Sequence, residues 1–158
     1  MIKIVKGNRF FELNIIGYQF PADENGYYDS NWLQIMLNAD DGKRVWSKID
    51  PSLLTIELIK AAAWFRDLSD GRNPVSQILS FIEPCLSFEY SLREGMCLLS
   101  VRFTSELSPF SKESDSLYIV ELELSKAELA DIAGQFECEF LKFPPRGEMA
   151  GTKQCRNN

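Results

Sequence analysis

The chain predicts an α+β fold: an antiparallel sheet of about six or seven strands packed with two long amphipathic helices, at about 51–70 and 126–142. Three observations carry this expectation. Short segments alternate apolar and polar residues, the period-two mark of a half-buried strand. Turn signals separate them closely enough for hairpins, so neighbouring strands run antiparallel. Two other segments instead repeat apolar residues at helical spacing, in the order strands, helix, strands, helix.

Met1 to Val5 alternates weakly and reads as a short strand ended by the turn Lys6-Gly7-Asn8. Phe10 to Phe20 sets Phe11, Leu13 and Ile15 against Glu12 and Asn14, with an irregularity expected at Gly17. A long connection follows, Gln19 to Leu33, rich in Asp and aromatic residues. Asn31 to Asn38 places Leu33, Ile35 and Leu37 on one side, and Trp32, Gln34, Met36 and Asn38 on the other. Asp41-Gly42 supplies the positive φ of a tight hairpin into a strand from Lys43 to Ile49. Asp50-Pro51 then reads as an N-cap with proline at the first helical position. Leu54, Leu58, Ala61, Ala62, Phe65 and Leu68 recur at helical spacing up to Gly71, and the alanine run Ala61-Ala62-Ala63 suits close approach to a sheet.

Val75 to Ile82 is too short for periodicity to separate helix from strand. Glu83-Pro84 interrupts any helix there. Leu86 to Leu92 and Met96 to Leu107 form a hairpin around Arg93-Glu94-Gly95, with Cys97 in the core. Ser108 to Ser116 reads as a surface loop. Leu117 to Leu124 buries Tyr118, Val120, Leu122 and Leu124 and leaves an acidic face with Glu121 and Glu123. Ser125 and Glu128 make a capping box for a helix striped by Leu129, Ile132, Ala133, Phe136 and Phe140, stopped at Pro144-Pro145. Residues 1–145 form one expected domain, and 146–158 a polar, flexible tail.

Composition narrows the function. No apolar run approaches the roughly 20 residues that span a bilayer, and Met1 to Lys6 does not resemble a signal peptide, so a cytoplasmic protein is expected. Cys85, Cys97, Cys138 and Cys155 are widely spaced, unlike zinc-ligand pairs, and read as free thiols. The chain has no histidine, which removes Ser-His and Cys-His nucleophilic chemistry and His-ligated metals. No cofactor motif is present: the glycines are isolated and none precedes a phosphate-binding Lys-Ser/Thr pair.

Charge is unevenly spread. The net charge is −6, yet residues 10–42 hold six acids and no Lys or Arg, and residues 106–139 hold nine acids against Lys112 and Lys126. Such a chain repels phosphate backbones, so neither direct nucleic-acid binding nor a membrane is expected; a basic partner would be attracted and steered. Carboxylate chemistry has two candidate locations, Asp23, Glu24 and Asp29 in the long connection and Asp40 with Asp41 in the hairpin. Neither spacing distinguishes a general acid from a base, and Asp is favoured in turns for local hydrogen bonding. Asp23-x-Asn25 with Asp29 lacks the ligand pattern of a calcium loop.

Five stretches together carry a family resemblance: Gly17-Tyr-Gln-Phe-Pro21; Tyr28-Asp-Ser-Asn-Trp-Leu33; Trp46; Asp50-Pro-x-Leu-Leu-Thr55 with Glu57-Leu58; and Phe81-Ile-Glu-Pro-x-Leu-x-Phe-Glu89. In this order they resemble the WapI-type immunity proteins over about residues 10 to 105. The resemblance implies a cytosolic bacterial protein of contact-dependent toxin–immunity systems, which neutralises a cognate C-terminal toxin domain, here expected to be a basic nuclease. The matched residues read as scaffold, with Asp29 and Asn31 fixing the loop. Expected toxin contacts are Asp23, Glu24, Tyr27, Asp40, Asp41, Glu121 and Glu123, with no catalytic or metal site. A small carboxylate-dependent enzyme and a structural or oligomerising module are the alternatives.

Overall fold

The structure, a computed structural model, describes residues 1–20, 29–110 and 117–147. Within them the chain forms β1 (Ile2–Lys6), β2 (Arg9–Tyr18), β3 (Trp32–Asp40), β4 (Val45–Leu54), α1 (Thr55–Ser69), β5 (Ile78–Ser80), β6 (Leu86–Arg93), β7 (Met96–Phe103), a 3-10 turn (Ser105–Leu107), β8 (Tyr118–Leu124) and α2 (Lys126–Lys142). The strands make two antiparallel sheets, β1-β2-β3-β4 and β5-β6-β7-β8. The class is the expected α+β, but a single sheet of six or seven strands is corrected to two sheets of four. The ambiguous segment around Ile78 supplies the extra strand, and α1 carries the chain from one sheet to the other.

Both sheets and both helices share one core. Phe88 of β6 meets Phe11 of β2 edge-on at 5.6 Å, Phe65 of α1 at 5.5 Å and Phe136 of α2 at 6.4 Å. Phe65 and Phe136 stack at 5.6 Å, so the helices lie against each other. Ala61 and Ala62 are buried in the shared core and Ala63 is exposed. Trp46 and Trp64 are core residues, as their positions inside elements suggest, and each indole N–H finds a carbonyl, Leu107 and Ser76 respectively. No helix among the described residues is long and apolar enough to cross a membrane.

The start of α1 differs from expectation. Asp50 and Pro51 lie in β4, not at a helix N-terminus. Leu33 pairs with Leu53 and Ile35 with Asp50, so Gln34 faces both Pro51 and Ser52 across a bulge. Proline is tolerated there because β4 is an edge strand and the bulge interrupts the ladder. Asp50 accepts the Ser52 hydroxyl at 2.6 Å rather than capping a helix. The helix begins four residues later, where Glu57 accepts the Leu54 N–H at 2.9 Å. Its other oxygen takes the Ile82 N–H at 2.7 Å, which joins α1 to the second sheet, and burial raises its pKa. The irregularity expected at Gly17 is present: the β2–β3 register slips between Ile15 and Gly17.

Turns and caps follow the sequence closely. Gly7, Gly42 and Gly95 have positive φ, and Glu94 at φ 50 joins Gly95 in a two-residue hairpin. Gly71 ends α1 at φ +75, with Arg72 N–H to Asp67 C=O at 2.8 Å and Gly71 N–H to Leu68 C=O at 3.1 Å. The Ser125–Glu128 box forms as predicted, and α2 stops at Lys142 before the prolines.

Candidate functional site

The hairpin after β3 is built by its own aspartates. Asp40 Oδ1 accepts the Gly42 N–H at 2.7 Å, and Asp41 Oδ1 accepts those of Lys43 and Arg44 at 2.8 and 2.7 Å. The other Asp41 oxygen accepts the Tyr118 hydroxyl, which pins the hairpin of the first sheet to β8 of the second. That bond, opposed by burial and aided by the two backbone donors, holds the Asp41 carboxyl below its usual range; the same bond pushes Tyr118 up. Tyr118 packs edge-on between Trp46 at 5.3 Å and Phe110 at 5.4 Å, and Arg44 lies 4.9 Å from the Phe110 ring. Asp41 therefore stays ionised and committed to the turn, an arrangement unsuited to trading protons.

Beside this pin runs a cleft of about 380 Å³ lined by Arg9, Asp41, Lys43, Ile119, Val120 and Glu121. Arg9 Nη1 donates to the Glu121 carbonyl at 3.0 Å. Glu121 and Glu123 project from the exposed face of β8, and neither carboxylate has an ion pair among the described residues. On that face Glu121 lies opposite Ser100, and Ser100 opposite Glu89, which is paired with Arg102. Glu123 lies opposite Leu98 and lines a second concavity of about 550 Å³ with Arg93, Glu94, Met96 and Leu98.

The base of the long connection is a separate polar junction. Asn31, 1% exposed, accepts the Arg146 N–H at 2.7 Å and donates to the Arg146 carbonyl at 2.9 Å. It also accepts the Thr55 hydroxyl at 3.2 Å and, through its own carbonyl, the Thr55 N–H at 3.1 Å. The Arg146 guanidinium lies 3.2 Å from the Tyr18 ring centre and donates to Phe20 C=O at 3.3 Å. The Tyr18 hydroxyl reaches Pro144 C=O. One asparagine thus joins the start of β3, the first turn of α1 and the segment after α2.

The expected contact residues fare differently. Asp41 and Glu121 come together in one cleft, with the cations Arg9 and Lys43 among them. Glu123 lies farther along β8, and Asp40 faces the hairpin. Asp23, Glu24 and Tyr27 fall outside the described residues, as do residues 148–158 of the expected tail. Arg9 and Arg146 were not singled out from sequence: each acts across a distance of more than 100 residues, which local patterning does not encode. Arg9 does directly precede the stretch without cations, a signal of position though not of partner. Cys85 and Cys97 are buried free thiols, pushed up to about 11 mainly by burial, and Cys138 is exposed and free. Among the described residues no group of three or more His, Cys, Asp or Glu could hold a metal ion.

Two solved structures resemble the chain. One is described as the plant transcriptional regulator PBF-2, at 15% identity, TM-score 0.43, covering 89% of this chain and 80% of that one. The other is WHY1 from Arabidopsis thaliana, at 16% identity, TM-score 0.44, covering 89% and 88%. Likenesses this distant carry no functional argument. No curated protein matches significantly. The family model of the immunity protein WapI-like family, in contrast, matches residues 1–144, nearly the whole described structure and well beyond the stretches that suggested the resemblance. By that match, the chain belongs to the immunity protein WapI-like family.

Proposed function

We propose that this protein acts in the bacterial cytoplasm as the immunity partner of a basic nuclease toxin domain. It binds that domain in a stoichiometric complex and occludes its active site or substrate path with acidic surface. The observation that carries the reading is the family match over residues 1–144. Two features support the electrostatic part: the net charge of −6 and the uncommitted carboxylates of Glu121 and Glu123. Asp40 and Asp41 contribute charge through the hairpin they build, and Asp23, Glu24 and Tyr27 add contacts from the long connection. Inhibition on this reading needs neither turnover nor a cofactor, and nucleic acid and membrane are not partners.

Electrostatic steering has a kinetic signature. Stopped-flow mixing with the cognate toxin domain should show an association rate that falls steeply as salt rises, on the order of tenfold or more between low and physiological ionic strength. A rate indifferent to salt contradicts docking by charge.

A further inference from the structure

We propose that the outer edge of β8 is a strand-addition site that takes an extended segment of the toxin with Lys or Arg at every second position. The inference rests on the immunity reading above and assigns its contact surface. The direction of the backbone groups follows from the register. Tyr90 donates its N–H to Gln77 C=O at 3.3 Å, so Tyr90 faces β5. Its neighbours Glu89 and Ser91 therefore exchange hydrogen bonds with β7, where they oppose Ser100 and Leu98. Ser100 and Leu98 in turn cannot bond to β8, and their β8 opposites are Glu121 and Glu123; the same alternation applies to Ile119 opposite Arg102. Ile119, Glu121 and Glu123 thus point N–H and C=O away from the sheet, over a length of about 13 Å. The Arg9 hydrogen bond to Glu121 C=O marks the same direction independently. Among the described residues no hydrogen bond other than that of Arg9 engages the N–H or C=O of Ile119, Glu121 or Glu123, although β1 of the other sheet runs near β8.

Charge selects the occupant. A second copy adding β8 to β8 would bring the Glu121 and Glu123 carboxylates of both chains onto one face, opposite or diagonal to each other, where like charges destabilise a strand pair. Acidic side chains on an edge are a common guard against self-pairing. An incoming strand with cations at alternate positions turns the same repulsion into cross-strand ion pairs with Glu121 and Glu123. The cleft along this edge has Ile119 as an apolar contact. On its opposite wall the cations Arg9 and Lys43 stand beside Asp41, whose oxygens are already taken by the hairpin and Tyr118, so the attraction comes from Glu121 and Glu123. Arg9 is exposed and must leave the Glu121 carbonyl as the strand docks.

Amide hydrogen exchange on the full chain, free and bound to the cognate toxin domain, tests this. Ile119, Glu121 and Glu123 should exchange quickly in the free protein and at least tenfold more slowly in the complex. Ile119→Pro removes one outward N–H while leaving both glutamates and the β7 ladder intact. It should weaken binding tenfold or more at an unchanged urea midpoint; if the midpoint falls, the wild-type exchange data decide. Glu121→Gln/Glu123→Gln should bind more weakly and with less salt dependence. Tight binding with the three amides still exchanging at their free rates would overturn the edge site and leave the immunity reading standing. Protection of those amides in the free protein that grows with its concentration would assign the edge to a second copy and overturn the proposal. No binding of wild-type protein to the domain would overturn both readings.

Discussion

Asn31 does the most at the scale of single residues. Its side chain satisfies the Arg146 N–H and C=O and the Thr55 hydroxyl in a buried setting. Truncating it leaves groups from two other segments without partners, although the backbone bond from Thr55 N–H to the residue-31 carbonyl survives. Asn31→Ala should therefore cost about 2–3 kcal/mol of stability, read as a drop in urea midpoint. Its scaffold role was legible from sequence only as part of a family pattern, because its partners Thr55 and Arg146 are far away in the chain. Glu128 gives a pH prediction. Lys6 at 2.6 Å and the Ser125 backbone N–H hold its pKa at about 2, against an ordinary 4.5. Because the folded value is the lower one, its contribution is full above pH 4.5 and is lost as pH falls from 4.5 towards 2. The effect is modest, since the side chain is 40% exposed. Urea titrations of Glu128→Gln should show a shallower loss of stability across that window than wild type.

At the scale of elements, the sequence was most readable where chemistry is local. The Asp41-Gly42 and Glu94-Gly95 turns, the Ser125–Glu128 cap and the Gly71 stop all depend on residues within a few positions. Gly71 is demanding through its φ of +75; an added Cβ would also lie 2.9 Å from Lys126 Nζ, but that flexible side-chain end can move aside. Gly71→Ala should cost roughly 1–2 kcal/mol, measurable by thermal or chemical unfolding; an unchanged midpoint would mean the helix end relaxes freely. The misread start of α1 has a local cause as well. Asp-Pro satisfies the rules for a helix N-terminus, and it equally satisfies those for a bulge in an edge strand. Only the β3 partner, through the pairing of Leu33 with Leu53 and Ile35 with Asp50, decides between them.

At the scale of the whole molecule, alternation told which side of each strand is buried but not which strands are neighbours. Phe11 and Phe88 were both recognisable as inward residues, yet their meeting across two sheets needed the fold. The candidate site has the same character. Glu121 and Glu123 were legible as an acidic face of β8, whereas the cleft beside them is made by Arg9, Asp41 and Lys43 from the other sheet. The segregation of charge along the sequence is thus softened in space by interspersed cations. The family places the protein among immunity proteins, and stoichiometric binding is the proposed way in which it disarms its toxin. A titration of the purified cognate toxin domain with this protein, following the activity of that domain, tests this directly. Activity should fall linearly to zero and break at one equivalent of the immunity protein. Activity that persists at excess, or that vanishes at amounts far below one equivalent, would contradict stoichiometric inhibition.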